Sequence, residues 1–155
     1  MDPKRSADSV TEMNEIVLPS DSNALGTAFG GKVMQWIDVC AAMAAQRHTR
    51  KMVVTASMDE LHFHSPIRVG MIANLRAEVT ATFRRSLELE VRVHSEDPRS
   101  GTRQHCCSAL LTFTALDDDF RPTEIPPLLL ETDEQRARQQ AALDRRASRL
   151  KHRQR

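Results

Sequence analysis

At 155 residues and 17.5 kDa, with 40% hydrophobic and 28% charged side chains, the chain has the makings of one globular domain with a sizeable core. That balance excludes an intrinsically disordered chain, and no apolar run approaches the roughly 20 residues that a membrane-spanning helix needs. The net charge of +1 conceals an asymmetry: residues 131–155 hold eight Lys/Arg against four acids, so the remainder is slightly acidic.

Met1-Asp2-Pro3-Lys4-Arg5 carries no apolar stretch behind it, unlike a secretory signal, and residues 1–9 read as disordered. Residues 11–18 read as a first strand ended by Pro19, and 20–30 as a loop rich in turn formers. From Gly31 to about His48 the period is helical. Val33, Trp36, Ile37, Cys40 and Ala44 share a face, and Val39, Ala42 and Met43 extend the apolar surface round the back. Such a helix is buried on most sides. Residues 52–63 and 71–83 follow as strands, with a Pro/Gly turn at 65–70 between them. Leu87, Leu89, Val91 and Val93 then alternate with Glu88, Glu90, Arg92 and His94, which predicts a strand with one buried face. A hairpin turn at 97–101 leads into a last strand at 105–116. Pro122, Pro126 and Pro127 break the chain before a helix at 132–152.

The expected architecture is therefore α+β: an antiparallel sheet of about five to six strands wrapped round one long central helix, over residues 10–130. The second face of that helix is most easily covered by another copy of the chain, which predicts an oligomer. The tail at 131–155 has cations for nucleic acid, an anionic cofactor or a membrane surface. The expected reading is a solvated, partly frayed helix, with neither nucleic acid nor membrane as partner. Cys40, Cys106 and Cys107 form neither a disulfide framework nor a metal spacing, which suits reduced thiols in a cytoplasmic protein.

Four features could carry chemistry. Asp38 is a carboxylate two turns inside an apolar helix; it is either satisfied by hydrogen bonds at an interface or acts as a base or nucleophile. Gly30 and Gly31 stand at the helix start, where bare N–H groups can stabilise an oxyanion; simple clearance for the helix entry is the alternative. Asn23 could cap a local turn, or hold water or a carbonyl. Ser86 beside Arg84 and Arg85 could grip phosphate, or belong to a solvated turn. His62 and His64 share a strand face, but no third metal ligand is spaced to join them, so no metal is expected. His48 lies near the helix C-terminus, where positive charge is favourable.

The run from Asn23 to Asp38, Asn-x-x-Gly-x-x-Phe-Gly-Gly-x-Val-Met-x-Trp-Ile-Asp, resembles the acyl-CoA thioesterases of the hot-dog fold, of the cytosolic acyl-CoA hydrolase type. The resemblance continues through residues 62–70 and 84–91. It implies a sheet wrapped round one helix, with dimers as the minimal unit and trimers of dimers as a further assembly. It implies hydrolysis of acyl-CoA to free acid and CoA without a cofactor. By the same resemblance Asp38 is the catalytic acid, the Gly30 or Gly31 N–H polarises the thioester, and Asn23 faces the partner's Asp38 across a dimer interface. Arg84, Arg85 and Ser86 would contact CoA, and Phe29 would line the substrate pocket. Phe83 and Arg85 depart from the usual Gly and Thr of that turn. A non-catalytic acyl-CoA sensor on the same fold is the alternative; a dehydratase is disfavoured because the helix has no His near Asp38.

Overall fold

The computed structural model describes residues 1–153. Five strands, β1 (Thr11–Ile16), β2 (Met52–Phe63), β3 (Ile72–Thr82), β4 (Ser86–Glu96) and β5 (Arg103–Leu116), form one antiparallel sheet in the order β1-β3-β4-β5-β2. Helix α1 (Gly30–Thr49) lies against one face and contacts all five strands. Helix α2 (Asp133–Arg153) follows the last strand. The α+β hot-dog arrangement is thus the one expected, with five strands.

Alternation builds the core. Leu87, Leu89, Val91 and Val93 of β4 are fully buried beside Leu75, Ala77 and Val79 of β3 and Leu111 and Phe113 of β5. From α1 they receive Val33, Trp36, Ile37, Cys40, Ala41, Ala44 and Ala45. The small residues let the helix approach the sheet closely, and Ile37 is completely enclosed. Truncating Ile37 to Ala would cost about 2–5 kcal/mol, because a close-packed interior cannot collapse round the void. Arg50 ends α1 in a left-handed conformation (φ 54°), its N–H bonding the Gln46 carbonyl.

The back of α1 is not covered within one chain. Met34 and Val39 are 42% and 45% exposed, and Met52 and Val54 of the neighbouring edge strand β2 are equally open. An unpaired edge beside an uncovered apolar helix face is what a second copy would bury.

Two terminal segments depart from expectation. Residues 4–9 are packed: the Lys4 N–H bonds the Pro127 carbonyl and its Nζ reaches the His48 carbonyl, while Ser6 and Ser9 are buried. These are pairings with residues far along the chain, which local composition does not reveal. Likewise α2 is no frayed tail. It lies across the outer face of the sheet, buries Ala142, and sets Arg138 towards Glu78 and Glu90, Arg145 on Glu88 and Arg149 on Asp59. Gln139 bonds the N–H and the carbonyl of Thr82 like an extra strand residue. Several of the tail's cations are therefore neutralised by acids of the sheet, which removes much of the charge that could have met a polyanion.

His48, too, departs from expectation, for it is no helix-end charge. It is fully buried, with Nε2 2.8 Å from the Pro126 carbonyl, so that nitrogen carries the proton and Nδ1 has no partner among the described residues. Burial lowers its pKa from the usual value; the imidazole is held neutral and serves packing rather than helix-end charge.

Candidate active site

The loop that opens α1 is held from both sides. Asn23 accepts the Leu25 N–H (2.9 Å) and Thr27 N–H (3.2 Å) on Oδ1 and donates from Nδ2 to Thr27 Oγ1 (2.9 Å). Gly26 completes this turn at φ +76°, a conformation open to glycine. The loop is then laced to residues 67–69, with Ala28 N–H on the Ile67 carbonyl and Val69 N–H on the Gly26 carbonyl. Asn23 thus acts as a turn organiser in its own chain, with no contact to Asp38 of that chain.

Phe29 enters the helix and offers no side-chain cap. Its carbonyl takes the Lys32 and Val33 N–H groups, whereas those of Gly30 and Gly31 meet no acceptor among the described residues. Neither glycine has positive φ. A Cβ on Gly30 would make only ordinary contact with Phe63, at 3.9 Å; one on Gly31 would press the Phe29 ring at 3.2 Å. The bare N–H pair lies at the positive end of the α1 dipole, beside a cavity of about 360 Å³ lined by Gly30, Val33, Phe63, His64, Ile67 and Cys106 among others. Phe29 itself is 59% exposed and is not part of that lining.

Asp38 is half-buried on the open side of α1. Thr55 of β2 donates its hydroxyl to Asp38 Oδ1 at 2.6 Å, and no cation pairs with the carboxylate among the described residues. Thr55 is the residue that sequence reasoning missed. A threonine in a strand is unremarkable by itself, since β-branched residues favour strands anyway.

The structure brings Asp38 to Thr55, and Asn23 to Thr27 in the loop before the helix, with no hydrogen bond between the two pairs. Seven residues of α-helix separate Gly31 from Asp38, roughly 10 Å along the axis. One carbonyl cannot lie within hydrogen-bond reach of both in the same chain.

The three residues at the β3–β4 turn also separate. Arg84 pairs with Glu124 at 2.9 Å on the surface, Arg85 is exposed, and Ser86 faces α2 on the outer side of the sheet. Burial pushes the thiols of Cys40 and Cys107 up, to about 11 and about 12, so both are packing residues rather than nucleophiles.

A thioesterase superfamily model matches residues 25–102, which span the helix, its loop and strands β2 to β4. The chain belongs to this superfamily. It is 40% identical over 119 residues to an uncharacterised acyl-CoA thioester hydrolase of Bacillus subtilis, covering 77% of this chain and 69% of that protein. An apo-hexameric acyl-CoA thioesterase superposes with a TM-score of 0.91 at 38% identity, over 98% of this chain and 97% of its own. The acyl-CoA hydrolase of Staphylococcus aureus, solved with coenzyme A in an asparagine-to-alanine variant, has a TM-score of 0.89 at 32% identity, over 99% and 94% of the two chains. Two further variants of that enzyme replace an aspartate and a threonine by alanine. The asparagine, aspartate and threonine follow one another there in the order and at the intervals of Asn23, Asp38 and Thr55 here. The chain spans only about a quarter of the length of the rat and mouse acetyl-coenzyme A thioesterases it resembles at 31% and 32% identity.

Proposed function

We propose that this chain hydrolyses acyl-CoA to a free carboxylic acid and CoA, at sites built between two copies. The observation that carries this reading is the pairing of an uncapped glycine helix start, beside an apolar cavity, with a threonine-held carboxylate on the uncovered face of the same helix. One copy supplies Gly30, Gly31 and Asn23; the other supplies Asp38 and Thr55. The glycine N–H groups polarise the thioester carbonyl, and Asp38 takes a proton from water as its oxygen attacks the carbonyl carbon. The carbon–sulfur bond then breaks, and the proton passes from Asp38 to the departing thiolate. Attack by the Asp38 carboxylate itself, followed by hydrolysis of the anhydride, is the same site used in two steps. Thr55 orients the carboxylate.

The exposed Met34, Val39, Met52 and Val54 support a homodimer, and the hexameric relative supports a trimer of such dimers. We assign the reaction to the cytoplasm, supported by the relatives named cytosolic and by three buried, unpaired thiols. The test is thiol release across a panel of acyl-CoA lengths by the wild-type protein and by Asp38→Ala. Wild-type turnover in the variant would remove Asp38 from the chemistry.

A further inference from the structure

A second cavity lies on the opposite side of the sheet, and it is basic. It holds about 160 Å³ between the last turns of α2 and the outer face of β2, β4 and β5. Arg146, Arg149 and Arg153 enter it from α2; their spacing of three and seven residues puts all three on one helix face. The sheet opposes them with Ser86, Thr112 and Thr114, and no carboxylate lines the space. We propose that this cavity binds a phosphate-class oxyanion.

The three guanidiniums are not equally engaged. Arg149 is held by Asp59 at 3.1 Å. Arg146 stacks its guanidinium 5.2 Å above the centre of the Phe83 ring, which uses its face and leaves its N–H edge to donate. Arg153 has no carboxylate partner among the described residues. The second observation is Thr112. Its side chain is nine-tenths buried, and its Oγ1 meets no donor or acceptor among the described residues. Its cross-strand neighbour Glu88 is already satisfied by Arg145 and Thr80. A buried hydroxyl left without a partner is uncommon in a folded protein and needs a reason. An anion with several acceptor oxygens supplies one: Oγ1 is closed to the cavity as it stands, and a rotation of the Thr112 side chain would bring its proton to the anion beside the guanidinium N–H groups.

The cavity is distinct from the Asp38 site of its own chain but borders the same strand. Ala56, which lines it, is the extra residue of a bulge between the pairs Thr55↔Phe113 and Ser57↔Thr112. Thr55 grips Asp38 on one side of that bulge while Thr112 faces the cavity on the other. The anion site does not depend on the hydrolase reading. Its ligand has two possible sources: a free phosphate, or the phosphates of a CoA-type nucleotide.

The test is calorimetric titration of the full chain, at constant ionic strength, with inorganic phosphate and separately with adenosine 3′,5′-bisphosphate. Saturable binding of one anion per chain is expected. It should weaken roughly tenfold or more in the Arg146→Gln/Arg153→Gln double variant, because charge-assisted hydrogen bonds are lost. Thr112→Val, which keeps the shape but removes the hydroxyl, should weaken it by a smaller factor. Circular dichroism shows whether each variant is folded, and Arg153→Gln alone, at an exposed position, serves if the double variant is not. Equal affinity for the two probes identifies free phosphate. Tighter bisphosphate binding, with a raised KM for acyl-CoA in the double variant at unchanged kcat, identifies the nucleotide. No saturable binding of either probe, or binding indifferent to the substitutions, would overturn the proposal.

Discussion

The hydroxyl of Thr55 and the carboxylate of Asp38 are joined at 2.6 Å across the seam between β2 and α1, on the side of the chain that is open. The bond fixes one carboxylate oxygen and leaves the other without a partner among the described residues. Thr55→Ala should lower kcat for acyl-CoA by about tenfold to a hundredfold, since a base that is no longer oriented keeps its chemistry but loses its aim. Thr55→Ser, which restores a hydroxyl, should recover most of the rate. Asp38→Ala should lose about 10²–10⁴-fold, the usual contribution of a positioned acid–base group. A Thr55→Ala enzyme with wild-type kcat in a thiol-release assay would reduce the bond to packing.

Strand β4 was legible because period-2 alternation is unambiguous where one face meets a core: Leu87 to Val93 announce their face without any tertiary knowledge. The helix and its glycine start were legible for the same reason, at a different period. Thr55 was not, because its role depends on a residue brought beside it by the β2 edge rather than by any local pattern. The docking of α2 was hidden differently. Glu78, Glu88 and Glu90 read as the solvent side of an amphipathic sheet, and only the spacing of Arg138, Arg145 and Arg149 on one helix face hints that those acids have partners.

Glu88 makes that docking testable. It is 1% exposed and is held by Arg145 through two bonds of 2.7 and 3.0 Å, and by Thr80 at 2.7 Å. Arg145→Ala strands a buried carboxylate, at a cost of about 3 kcal/mol, the low end for a broken buried pair because Arg145 is partly exposed. For a chain of this size that lowers Tm by roughly 6–12 °C. Replacing both partners, as in Arg145→Leu/Glu88→Leu, should restore much of the loss, because no charge is then left alone. A single variant that melts with the wild type in a calorimetric scan would mean α2 is not held by this pair.

His48 gives stability a pH dependence. Burial is the main cause of its lowered pKa, and the nearby Lys4 cation adds to it, while the bond to Pro126 works the other way. The unfolded chain therefore takes up the His48 proton first as pH falls. The contribution is fully present above about 6.5, the ordinary value, and is lost as pH drops from there towards the lower folded value. Melting temperatures measured from pH 8 down to pH 5 should decline through this window in the wild type. The decline should be shallower in His48→Gln, which keeps an N–H for the Pro126 carbonyl but cannot titrate. Parallel profiles would assign the decline to other groups.

The separation of Gly31 from Asp38 along α1 has a consequence that single-site variants cannot reach. If each site joins the Asn23 loop of one copy to the Asp38–Thr55 pair of another, two inactive variants can repair each other. Asn23→Ala and Asp38→Ala homodimers should each be nearly inactive. In a mixed dimer, the intact Asn23 of one chain meets the intact Asp38 of the other at one of the two sites. The remaining site carries both defects. Random exchange in an equal mixture makes half the dimers mixed, so about a quarter of wild-type activity should return, and more than that would need uneven pairing. A site contained within one chain predicts no recovery, because every chain would carry its own defect. The measurement is thiol release after the two purified variants have been unfolded together and refolded, with each variant refolded alone as the baseline.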